Sequence, residues 1–472
     1  MTNSKPDKHI ATASDPRGAL AGWYLRPRFG IVTLLPLLAG LSVCMLLALL
    51  RGAGEDPRAN LRISMAAMLA QAPPPVPPAE NAAVVYNSIG AVYAPFSNFD
   101  KKGYFLILHK SSKRLEAASV KAYLQANAPA LILLQAAAQK PLCNFGLNYG
   151  AGAAMAMTHF GKMREYARFL VIDARAKAHA GDHAGAAADI ETIYTLAGHV
   201  ISDPLLLSGL VAVVIENLAD DCIQDIVVLD TLTQAVDIEQ YRRVHRLDRD
   251  PKGRCMRSLA AERAYGLCAI DQLAAGAVAP SRVLPRAFQG ANVYTALSYS
   301  SDRRRMIAVM DDYLKRTETN ELDNGFDAAQ QDAQLSEPSL LANDTLLSAR
   351  TFLVFWRDEL QARLTDTGLA ILLFRASHGR DPASLDELVP KFLPHAPEDP
   401  VSHQSLMLQH APMDNRPGEQ LWRQELATHF NGHPMLFIRT PRADVTPSDG
   451  APLDFILPPL GAANDGKADK DD

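Results

Sequence analysis

Between Gly30 and Leu50 the mixture of apolar and polar positions gives way to GIVTLLPLLAGLSVCMLLALL, 21 residues without a charge. A helix needs about 20 such residues to cross roughly 30 Å of hydrocarbon. The run therefore predicts a transmembrane helix, and the rest of the chain is read relative to a membrane. Lys5, Lys8, Arg17, Arg26 and Arg28 precede it, against Arg51, Arg58 and Arg62 behind it. That excess places residues 1–29 in the cytoplasm and everything after residue 50 outside. A cleaved signal is the alternative, but its apolar region spans about 7–15 residues and ends in a small-residue site, whereas this run is longer and stops at Arg51. A lipoprotein reading around Cys44 meets a bulky Val43 and six further apolar residues.

Past the anchor the period is helical. Leu61, Met65, Met68 and Leu69 share a face within Arg58–Gln71, a short interfacial helix with Arg58 and Arg62 toward lipid headgroups. Pro73–Pro78 predicts an extended polyproline stalk of roughly 20 Å, and the exterior domain is expected from Glu80. Lys113–Ala126 reads as a helix, and Pro129 opens the next, since proline is tolerated in a first turn. Lys162–Val200 places small residues around a Gly181-Asp182 turn, which lets two antiparallel helices approach closely. Asp203-Pro204 supplies a cap and first-turn proline for Leu205–Leu229, whose apolar stretch to Ile215 is a core helix and too short for a span. Thr233–Leu247, Met256–Leu273 and Ser301–Thr317 continue the pattern. Tyr104–Leu108 is an apolar run open to a strand reading.

Residues 319–345 are polar and acidic, as in a linker. Leu346–His378 is a long helical pattern stopped by Gly379. Ser384 can cap a short helix, Asp399-Pro400 turns the chain, and Ser405–Gln409, Pro434–Arg439 and Leu453–Leu457 are strand candidates. The fold class is thus mainly α. A single N-terminal transmembrane helix (30–50) leads to a juxtamembrane helix and stalk (51–79), an α-helical exterior domain (80–318), a linker and a small C-terminal α+β module (346–460). The charged tail 461–472 is expected to be disordered.

Two segments carry family resemblances. KMREYARFLVIDARAKAHA-GDHAG-AAADIETIYTLAGHV resembles one tetratricopeptide hairpin, with no second copy at the 34-residue period. The stretch His378, Gly379, Arg380, Pro382, Ser384-Leu385, Leu388-Val389-Pro390, Leu393-Pro394, Pro397, Asp399-Pro400 resembles the globular half of type II secretion pseudopilins. That likeness implies a helix followed by a small antiparallel sheet, a possible part in secretion, and a calcium loop reduced here to Asp444, Asp449 and Asp454. The chain from Val76 is also similar to an uncharacterised family of bacterial membrane-anchored helical proteins, through its proline-rich stalk, Glu80–Ala83, the GDHAGAAAD turn, Glu262–Ala264 and the SLDELVP segment. This implies an architecture and no known activity.

Composition narrows the function. A net charge of −5 gives nucleic acid no electrostatic footing. Cys143, Cys222, Cys255 and Cys268 are too scattered for a disulfide scaffold, and without Cys-x-x-Cys neither zinc nor thiol redox chemistry is indicated. No Walker loop, Rossmann glycines, zincin motif or nucleophile elbow occurs, and no cofactor is expected. His179 and His183 flank the Gly181 turn and read as solvated. Glu216 with Asp220, and Asp221 with Asp225, could pair carboxylates for acid–base work, although a helix passing from core to solvent shows the same spacing. Glu262 beside Arg263 reads as a structural ion pair. Asp444, Asp449 and Asp454 are the metal candidates, for calcium. These features point to a protein of the cytoplasmic membrane with its bulk outside, binding or scaffolding a protein partner of the envelope. A secretion accessory and a hydrolase with an unrecognised site are the rivals.

Overall fold

The hairpin at the centre of the chain is built by small residues. Helix α5 (His159–His179) buries Ala167, Ala174 and Ala178, and α6 (His183–Val200) buries Ala186, Ala187 and Ala197, so the two backbones run close together. Gly181 turns the corner at φ +84°, a conformation that costs a side chain strain. Asp182 then caps α6, its Oδ1 accepting from the Gly185 N–H at 2.9 Å.

The computed structural model describes residues 55–98, 118–229, 232–245, 249–278, 298–319, 349–413, 420–430, 433–440 and 453–460. The predicted anchor 30–50, the N-terminal 1–29, Tyr104–Leu108, the linker from residue 320 and the tail 461–472 lie outside them. Among the described residues, no helix is long and apolar enough to cross a membrane.

The described part is mainly helical with one small sheet. Preceding the hairpin are α1 (Pro57–Leu69), α2 (Ala82–Ile89), α3 (Ala118–Ala126) and α4 (Ala128–Ala138), the last opened by Pro129. Following it are α7 (Leu206–Leu229), α8 (Ala235–His245), α9 (Pro251–Ala274), α10 (Tyr299–Glu318), the short α11 (Ala349–Phe352) and α12 (Val354–His378). Helix α9 begins five residues before its apolar period does. Asp250 Oδ1 accepts from the Gly253 N–H at 2.7 Å and Pro251 fills the first turn. Gly379, at φ +66°, ends α12 in the left-handed conformation. Ser384 precedes a 3-10 turn (Leu385–Leu388) without capping it by its side chain. Asp203 is no cap either: it is buried, accepting a hydrogen bond from the Tyr149 hydroxyl at 3.3 Å.

Strands β1 (Met407–Ala411), β2 (Met435–Arg439) and β3 (Asp454–Leu457) form an antiparallel sheet in sequence order, with Leu408 opposite Ile438 and Ile438 opposite Phe455. Helix α13 (Gln420–His429) lies between β1 and β2 in the chain.

Three expectations are corrected. The C-terminal module is not a separate body: Phe355, Leu360, Leu364 and Phe455 belong to the same hydrophobic core as Leu170, Ile193 and Ile223. Gly368 of α12 lies so close to Phe455 of β3 that a Cβ would collide with the ring. The domain starts at α1 and not at Glu80, because Met68 is buried in a second cluster with Ala261, Ala264 and Cys268 of α9, and Ser64 is buried as well. Nor does the proline run stand away as a stalk. Asn144 Nδ2 donates to the Pro74 carbonyl at 2.9 Å and the Pro73 carbonyl at 3.3 Å, and Lys140 Nζ to the Ala79 carbonyl at 2.6 Å.

Candidate functional site: a charged cluster beneath a polar cleft

Helix α7 brings Glu216 and Asp220 to one face, a turn apart, and that face points inward. Both carboxylates are buried. Arg249, just ahead of α9, grips Asp220 with Nη1 and Nη2, each at 2.9 Å. Arg254, in the first turn of α9, holds Glu216 in the same two-pronged way at 2.7 and 2.8 Å. Asp358, in the second turn of α12, bridges the two guanidiniums, with Oδ1 3.1 Å from Arg249 and Oδ2 3.3 Å from Arg254. The Tyr194 hydroxyl of α6 donates to Asp220 Oδ1, and its ring lies under the Arg249 guanidinium at 5.3 Å.

Charge balance explains the electrostatics. Three carboxyls face two guanidiniums in a space without water, where an uncompensated charge is costly. Burial alone would lift the Asp220 carboxyl, but Arg249 and then His245 outweigh it and hold it down at about 2. Burial pushes the Asp358 carboxyl well above the usual carboxylate range, with Arg249 opposing and Glu216 and Asp220 adding to the rise.

His245, the last residue of α8, links this cluster to the surface. Its Nε2 lies 3.2 Å from Asp220 Oδ1, and its Nδ1 has no hydrogen-bond partner among the described residues. The ring is buried, yet it lines a cleft of about 510 Å³ between the outer face of α12 and the segment 393–403. Glu359, Arg363 and Asp366 form one wall, His395, Glu398 and His403 the other. The walls are tied together: Arg363 donates from Nε to Glu359 at 2.9 Å and from Nη1 to the Glu398 carbonyl at 2.8 Å. Arg242 bridges Asp366, at 3.0 Å, and the Phe392 carbonyl. Below the far wall, buried Asp399 accepts from the Val401 and Ser402 N–H groups at 2.7 and 3.0 Å and from the Thr440 hydroxyl. No Ser, Cys or Tyr side chain is among the lining residues, so the cleft offers acceptors and charges and no hydroxyl or thiol nucleophile beyond Thr367, whose hydroxyl is spent on the Arg363 carbonyl at 2.6 Å.

The other sequence candidates fall apart from this site. Glu216 and Asp220 pair within the core, which corrects their reading as a helix running out to solvent. Asp225 lies 3.6 Å from Arg175, away from them. Glu262 does not pair with Arg263, which reaches Asp311 at 2.7 Å; burial leaves the Glu262 carboxyl pushed up to about 7. His183 contacts the Tyr241 hydroxyl at 2.9 Å. Asp454 is held by Arg423 at 3.1 Å and Arg439 at 3.4 Å; Asp444 and Asp449 lie outside the described residues. No group of three or more metal-ligating side chains occurs among the described residues.

Sequence reasoning missed His245, Arg249, Arg254 and Asp358. The signal was the dense cationic run from Arg242 to Arg254, which can supply partners to the carboxylates of α7. No family model, no curated protein and no solved structure matches this chain.

Proposed function

We propose that this chain is a membrane-anchored binding protein of the cell envelope, and that it holds a segment of a protein partner in the cleft beside α12. The observation that carries this reading is the cleft's construction: a floor fixed by a buried cluster of arginine–carboxylate ion pairs beneath walls cross-tied by Arg363 and Arg242. A site so braced loses little freedom when a ligand enters, which favours recognition. The Glu398 carboxylate has no partner among the described residues and suits a partner segment that brings N–H donors and positive charge, such as a lysine or arginine side chain; buried His245 Nδ1 is a second polar atom there without a hydrogen-bond partner among the described residues.

The test is affinity capture of the full-length chain from crosslinked envelope, beside a Glu359→Lys/Glu398→Lys variant. A stoichiometric partner that the variant loses supports the cleft; a partner held equally by both puts recognition elsewhere; no partner at all sinks the binding reading. A second reading, an accessory of a secretion system, is favoured by the order of α12 and the antiparallel sheet packed on it. It requires that the captured partner be a secretion component.

A further inference from the structure

Helix α1 uses one face for the protein and has a second face that nothing among the described residues covers. Ser64 and Met68 are buried, with Leu61 and Met65 packed beside them against α9 and the turn at Tyr149–Ala154. Asn60 Nδ2 fastens the helix to the Tyr299 hydroxyl of α10 at 2.8 Å. On the opposite side Arg58, Arg62, Ile63, Ala66 and Leu69 are exposed, Ile63 at 64% and Leu69 at 50%. At about 100° per residue these positions fall in one arc centred near Ala66.

Two features of the chain say what covers that arc. From Pro57 to Ala79 there is no acidic residue, and Arg58 and Arg62 carry the only charges. The charge-free run ends at Leu50, and the six residues from Arg51 to Asp56 that join it to α1 reach roughly 20 Å at full extension. If Gly30–Leu50 spans the bilayer, α1 cannot be far from its surface. Large apolar side chains between arginines are the composition of helices that lie in a membrane interface, and arginine near the surface favours anionic lipid.

We propose that the outward face of α1 rests on the headgroup layer of an anionic membrane, so that α1 is clasped between lipid and α9. The proposal rests on the membrane-anchor reading and deepens it. Ile63 and Leu69 dip toward the acyl boundary while Arg58 and Arg62 meet lipid phosphates. Because Ser64 and Met68 remain in the core, the helix does not enter the bilayer. The contact sets the α9 side of the protein down on the membrane, in place of a domain held off on a proline stalk.

The test uses the full chain, Cys44→Ser, in nanodiscs of phosphatidylcholine with and without phosphatidylglycerol. The remaining four cysteines are buried, so an environment-sensitive fluorophore can be placed on Ala66→Cys, with Glu191→Cys on exposed α6 surface as reference. At position 66 the expected result is a blue shift and quenching by nitroxide-labelled lipid, stronger with phosphatidylglycerol, and neither at position 191. Adding Arg58→Glu and Arg62→Glu is expected to abolish the quenching at unchanged melting temperature. Solvent-like emission at 66 in a chain that has entered nanodiscs overturns the α1 contact and spares the anchor. A chain that never enters nanodiscs overturns both.

Discussion

Arg249 and Asp220 meet as a two-pronged ion pair, both N···O distances 2.9 Å, with neither side chain open to water. Their partners come from α6, α8 and α12, so the pair closes the core where the N-terminal helices meet the C-terminal segment. Removing one member leaves the other charge buried and alone. Arg249→Met is therefore expected to lower the unfolding free energy by about 3–5 kcal/mol, read by urea denaturation; a loss under about 1 kcal/mol would show that the cluster does not hold the core.

Two buried aspartates should give pH dependences of opposite sign. Asp189, beside Asp173 and reached by Lys177 at 2.6 Å, is pushed up to about 7 by burial and by Asp173, with Lys177 opposing. In the unfolded chain its proton leaves near pH 4, so between about 4 and 7 the folded state holds the extra proton and stability falls as pH rises, by at most about 1.4 kcal/mol per pH unit. Asp189→Asn removes that slope, and its melting temperature relative to the parent should climb from pH 4 to pH 8. Asp220, held near 2, contributes stability that is lost as pH falls from about 4 to 2. Melting temperatures for Asp189→Asn and parent that run parallel from pH 4 to pH 8 would contradict the Asp189 assignment.

Gly368 is where α12 meets the sheet. A Cβ there strikes the Phe455 ring, so Gly368→Ala is expected to cost about 1–3 kcal/mol through overpacking. Hydrogen exchange should show β3 loosened first. Unaltered protection of residues 454–457 would mean the contact is softer than the geometry implies.

Asn144 fastens the proline run and also accepts from the Gly146 N–H at 2.7 Å. Asn144→Ala should free residues 73–79 for proteolysis at a stability cost of about 1–2 kcal/mol. Limited digestion with peptide mapping reads this directly, and an unchanged cleavage pattern would leave the strap to other contacts.

The four described cysteines form no disulfide and are buried. Burial pushes the Cys143 and Cys255 thiols up to about 12, with Asp203 adding to the rise at Cys143, and Cys268 to about 11. A thiol reagent should modify none of them in the native protein and all four in denaturant. Rapid native labelling at Cys143 would show that its cover opens.

Several elements were legible because local rules suffice for them. Gly181-Asp182 and Gly379 end helices through a backbone freedom and a cap that any neighbouring sequence respects. The three strands emerged within two residues of where their apolar runs lie, since a short run bounded by proline and polar residues has few other ways to be buried. Boundaries failed where a cap, not the period, sets the start, as at Asp250 for α9.

The site was legible only in fragments. Glu216 and Asp220 at i and i+4 are visible in the chain, but their spacing is identical for a solvated face and for a core face. What decides is whether cations arrive: Arg249 and Arg254 do, and Asp358 joins them from 142 positions away, 358 less 216. The sequence by itself determined that the chain is mainly helical, where its hairpin turns, and that a charge-free run precedes the fold, because all of these depend on neighbours along the chain. Only the tertiary structure decided that the C-terminal helix shares the central core, that the proline run is strapped down, and that three carboxyls and two guanidiniums interlock under a cleft. Those outcomes depend on which distant surfaces exclude water together, and no local pattern encodes that choice.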